Sequence, residues 1–179
     1  MVPRLLSGIM ANSSGVQNIL AQAKKKEENH DWLGAGEICA KGASSIARER
    51  YLESGGLYDC AVFAFRRAAM QANDASEFKE RMKEASACND KAREAYCEVG
   101  GSGKAVAAKI LRCAAAKAYI AHWLASDSSE KKRLLDECWR LTNESIEAFE
   151  KTEEHHEYAR TFLHLSDAAL FLFTREFDF

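Results

Sequence analysis

Helix breakers are nearly missing from this chain. Its one proline is Pro3, and its ten glycines are confined to the first 56 residues and the stretch 100–103. From Asp74 to Val99, and again from Lys104 onward, nothing interrupts a helix. The alternation of β-branched and aromatic residues between frequent turn signals, which strands require, is also missing. These two absences exclude a sheet and dictate an all-α chain. No run approaches the roughly 18 consecutive apolar residues of a membrane span. The formal net charge of −2 gives no electrostatic reason to expect nucleic acid or an anionic membrane as partner. None of the six cysteines forms a C-x-x-C pair, and most sit within apolar helical patterns, where a free thiol behaves as a small hydrophobe. A disulfide framework is not expected in a chain of this length and kind.

What is present is amphipathic periodicity. The apolar patch near Pro3 is shorter than the about 7–15 residues of a signal-peptide core. Residues 1–13 therefore read as a flexible N-terminus, 14–179 as a single domain, and the cytoplasm as the compartment. Val16, Ile19, Leu20 and Ala23 share one face of a first helix over 14–28. A second begins near Trp32 and is weakened by glycines, which mark the close approach of a neighbour. It continues until Gly55-Gly56 ends the region. A third covers 57–72 and a fourth 75–98. A fifth, 104–125, holds nine alanines and is expected at the centre, since small side chains let helices approach closely. Ser126 or Asp127 caps a sixth that reaches about Lys151, and a seventh begins near Glu154. Short connections make neighbours antiparallel, so the expected fold is about seven antiparallel helices stacked as hairpins.

The order Gly56, Tyr58, Ala61, Phe65, Ala68 reads G-x-Y-x-x-A-x-x-x-F-x-x-A. It resembles the second helix of a tetratricopeptide repeat, whose small residue accepts the preceding helix and whose aromatic fills the next groove. A weaker echo lies at Trp32, Ala35 and Cys39. The resemblance implies a right-handed array of helical hairpins that binds a peptide or protein on its concave side. It covers at most the first 75 residues. Beyond them the helices are longer than the family's about 34-residue hairpin allows, and its closing proline does not occur.

The stretch from Glu98 to Ala107 holds Gly-Ser-Gly-Lys, part of a phosphate-binding loop. That loop needs a glycine where Glu98 stands, a hydroxyl where Ala105 stands, and a strand where the chain is helical. Residues 100–103 therefore read as a turn and a hinge. The acid-flanked His155 and His156 are adjacent, about 100° apart on a helix, and lack the four-residue spacing of a zinc pair. No nucleophile has a local partner pattern. No catalytic residue, metal or other cofactor is expected. Lys109, Arg112 and Lys117, with Arg160 or His164, instead suggest a basic groove wall for an acidic peptide. The C-terminal Phe171, Phe173, Phe177 and Phe179 suggest an alternative role as the packing face of a homodimer.

Overall fold

The computed structural model describes residues 14–46, 49–99 and 103–152, together with Glu154, Glu157 and Thr161. Six helices occur among them: α1 (Ser14–Glu28), α2 (Trp32–Ser45), α3 (Tyr51–Met70), α4 (Ala75–Glu98), α5 (Lys104–Leu124) and α6 (Ser128–Glu150). No strand occurs among the described residues. The expected seventh helix and the expected flexible N-terminus (1–13) lie wholly or mostly outside them, as do 100–102 of the expected hinge.

Local chemistry sets the ends. His30 takes a left-handed φ of 59°. The His30 and Asp31 amides then reach back to the carbonyls of Glu27 and Lys26, closing α1. Asp31 also caps α2 by accepting the Gly34 N–H at 2.9 Å. Asp74 caps α4 through the amides of Ser76 and Glu77, and Asp127, one of the two expected caps, accepts the Glu130 N–H. Each side chain satisfies amides that the first helical turn leaves unpaired.

One boundary differs from expectation. Gly55-Gly56 does not end a helix but lies within the first third of α3. A Cβ on Gly55 would sit 2.6 Å from Cε1 of the Tyr96 ring. Gly55 is at a helix crossing, where the missing side chain lets α4 come close. The break falls earlier, between Ser45 and Tyr51. Two of the three glycines of α2, Gly36 and Gly42, mark neighbours as expected, while Gly34 lies against the helix's own cap, Asp31. A Cβ on Gly36 would meet the Phe65 ring at 2.8 Å, and one on Gly42 would meet Ile19 at 2.7 Å.

Contacts between successive helices join the start of one to the end of the next. Trp32 meets Phe63 edge-on at 5.9 Å, while Ser54 donates to the Ala43 carbonyl. Arg81, early in α4, donates to the Ala68 carbonyl late in α3. Ser145, late in α6, donates to the Ala108 carbonyl early in α5. Near its other end α5 places His122 against the Lys131 carbonyl of α6. Consecutive helices are antiparallel, and α3 and α5 consequently run in the same direction. Asp59 meets Arg112 and, seven residues on in both helices, Arg66 stacks on Tyr119 at 4.3 Å.

The core runs from Val16 and Leu20 through Leu57, Phe65, Met82 and Tyr96 to Ile120. A smaller cluster of Ala118, Tyr119 and Cys138 joins α5 to α6. The alanine-rich α5 packs against α4 on one side and α6 on the other. Among the described residues no helix is long and apolar enough to cross a membrane.

Candidate functional site

The least expected feature of the interior is a group of charges. Asp59 sits in a stretch of α3 whose other residues from Leu57 to Ala61 are apolar, and it is buried with them. An isolated acid on such a face must find a cation or a donor, because an unpaired buried carboxylate is strongly disfavoured. Asp59 finds both. The Tyr96 hydroxyl of α4 donates to its Oδ2 at 2.7 Å, the Arg112 guanidinium of α5 donates to the same oxygen, and the Cys113 thiol approaches Oδ1 at 3.8 Å. The other terminal nitrogen of Arg112 donates to Glu157, beyond α6. One turn before Arg112, Lys109 pairs with Glu154. Both cations lie over the Phe149 ring of α6, at 5.4 and 5.6 Å from its centroid.

The electrostatics follow from enclosure. Burial by itself would pull the Arg112 guanidinium down, but Asp59 and Glu157 together hold it well above its ordinary range. Burial pushes the Tyr96 hydroxyl well above its usual value, and the Asp59 charge adds to the shift. Tyr96 therefore stays a donor throughout the neutral range. Two carboxylates share one guanidinium, and a tyrosine supplies a further hydrogen bond. Such an arrangement joins α3, α4, α5 and the segment after α6 at one point. Beside it Asn89 donates to the Cys113 carbonyl at 2.9 Å, tying α4 to α5 again.

The residues expected to form a basic groove wall do not share one environment. Lys109 is 1 % exposed and Arg112 4 %, so neither lines an open groove. Lys117 is exposed and pairs with Asp90 of α4 at 2.7 Å. Helical geometry explains the division. Residues three apart share a face, whereas a further five turn the side chain roughly 140° away. Arg160 and His164 lie outside the described residues, as do His155, His156 and the terminal Phe171, Phe173, Phe177 and Phe179. His122 is buried and held by the Lys131 carbonyl at 2.8 Å. No group of three or more His, Cys, Asp or Glu among the described residues is arranged to hold a metal ion. Five of the six cysteines are buried, and Cys97 is the exposed one.

Comparison with protein-family models, curated proteins and solved structures returns no match. Asp59 and Tyr96 were not singled out from the sequence, although Asp59 carries a signal. It is the lone acid between Glu53 and Asp74, in a helix whose surroundings are otherwise apolar.

Proposed function

We propose that the chain is a non-enzymatic protein–protein interaction module of the cytoplasm, a tetratricopeptide-like array of helical hairpins that presents a preformed surface to a protein or peptide. The observation that carries this reading is the stacking pattern: antiparallel neighbours, with α3 and α5 running in the same direction and meeting at two points two turns apart. An array built this way gains its rigidity from neighbour contacts, leaving extended helical faces free for a partner. The environment of the repeat-like residues gives further support. Ala61 and Ala68 are fully buried in α3, and Phe65 packs against the bare backbone of Gly36 in α2. Those are the tasks that the resemblance assigns to a small residue and an aromatic.

Photo-crosslinking in native cells tests the reading. A photoreactive residue is placed singly at the exposed positions Lys83 (α4), Lys117 (α5) and Arg133 (α6). An interaction module gives a discrete, saturable protein adduct from one face and none from the others. Absence of any adduct from all three positions, with the protein folded and expressed, overturns it.

A further inference from the structure

Three lysine or arginine side chains are buried among the described residues: Arg66, Lys109 and Arg112. The chain answers two of them with carboxylates, Lys109 with Glu154 and Arg112 with Asp59 and Glu157. Arg66 of α3 is 7 % exposed, and among the described residues no acid forms an ion pair with it. Asp59 stands two turns back on the same helix, about 10 Å along the axis, and is engaged by Arg112 and Tyr96.

What surrounds Arg66 instead is aromatic and neutral. Its guanidinium carbon lies 4.3 Å from the centroid of the Tyr119 ring of α5. Burial pushes the Tyr119 hydroxyl and the Cys138 thiol of α6 upward, and the Arg66 charge pulls against both shifts. The side chain therefore stands where α3, α5 and α6 meet. A ring face offsets part of the desolvation of a guanidinium, but it does not supply the anion that an enclosed charge otherwise pairs with. The fork keeps one usable edge. Tyr119 covers a face, and Nε is the only Arg66 nitrogen that is both enclosed and without a hydrogen bond. The terminal nitrogens accordingly form the edge that retains the residue's small exposure. An anion in the plane of that edge meets parallel N–H groups spaced like the two oxygens of a carboxylate. One positive charge calls for one negative charge, and a divalent oxyanion would leave an excess beside apolar walls. The narrow opening restricts size in the same way.

We propose that Arg66, backed by Tyr119, is a binding site for a small free monocarboxylate of formate or acetate size. It is distinct from the centre around Asp59 and Arg112, and it stands independently of the interaction-module reading.

The probe is formate, exchanged for chloride at constant ionic strength, with urea unfolding of the full chain followed by circular dichroism. A ligand held only by the folded chain raises the unfolding midpoint with the logarithm of its concentration once the site fills. The unaltered protein is expected to show that rise, with half-saturation at roughly millimolar formate. Arg66→Lys keeps the charge but removes the planar fork, and should weaken formate at least tenfold. Arg66→Met should lose the difference between formate and chloride altogether. An equal rise in the unaltered protein and in Arg66→Met shows an adventitious ion only and overturns the proposal, as does a flat response of the unaltered protein. Should Arg66→Met fail to fold, Arg66→Lys carries the comparison, and an unchanged half-saturation there is equally fatal. A capped aspartate that matches formate at equal concentration assigns the carboxylate to a protein side chain and overturns the free-acid assignment.

Discussion

Replacing Gly55 by alanine should destabilise the protein, although the same change in an ordinary helix stabilises it. In a helix interior, alanine is favoured over glycine by about 1 kcal/mol. Against that, the new methyl would stand 2.6 Å from Cε1 and 2.9 Å from Cδ1 of Tyr96. Tyr96 is 1 % exposed, so its ring has no space to retreat into, and overpacking of this kind costs about 1–3 kcal/mol. The ring also carries the hydroxyl that donates to Asp59 at 2.7 Å. Losing a hydrogen bond to a charged acceptor adds about 1.5–3 kcal/mol. The balance is a net loss of about 1.5–5 kcal/mol. Gly15 provides the control. It is exposed in the first turn of α1, and a Cβ there meets nothing within 4 Å, so Gly15→Ala should be neutral or stabilising by up to about 1 kcal/mol. Urea unfolding followed by circular dichroism reads both, with the midpoint falling for the first and holding or rising for the second. If Gly55→Ala unfolds at the same urea concentration as the unaltered protein or higher, the close α3–α4 crossing is refuted.

The other expectations concern the ionic centre and the thiols. Arg112→Met strands two buried carboxylates and should cost about 3–5 kcal/mol in the same unfolding measurement; a loss under 1 kcal/mol would show that the centre is not enclosed. Above about pH 10 the unfolded chain ionises Tyr96 while the folded chain, with its raised hydroxyl, keeps the proton. The unfolded state then binds fewer protons and stability falls as pH rises. Tyr96→Phe should flatten that slope, and an unchanged slope between pH 9 and 11.5 would contradict it. Burial pushes the Cys88 thiol up to about 11, and Cys97 is the exposed cysteine. Native protein at pH 8 should therefore release one fast equivalent from a thiol-specific disulfide reagent, mapped to Cys97, and all six only after denaturation.

Helix positions were legible because their determinants are local. Asp31, Asp74 and Asp127 announce helix starts by side-chain chemistry that operates within three residues. The bounds of α1 and α4 follow from periodicity between such signals. Gly55-Gly56 was misread for the opposite reason. A glycine pair ends a helix when solvent surrounds it and tightens a crossing when an aromatic ring faces it, and the ring belongs to Tyr96, some forty positions downstream. Lys109, Arg112 and Lys117 look alike along the sequence, yet their neighbours differ. The packing of Phe149, the Asp59 carboxylate and the arrival of Glu154 and Glu157 hold the first two inward. Asp59 was readable in principle, since an acid inside an apolar stripe demands a counter-charge. Which of the chain's many cations would answer was a tertiary matter.

The ionic centre also bears on the order of folding. The bonds from Arg112 to Asp59 and to Glu157 join residues 53 and 45 positions apart, and the bond from Tyr96 to Asp59 spans 37. The helical hairpins close over far shorter loops, and shorter loops close first. The centre can form only once three helices and the following segment have converged, so it acts as a late clasp, absent from the early barrier and intact in the finished structure. Changes to the clasp should consequently hasten unfolding while leaving the folding rate almost untouched. The residues that seal the interior thus govern how long the folded chain lasts, and the hairpins govern how quickly it is made.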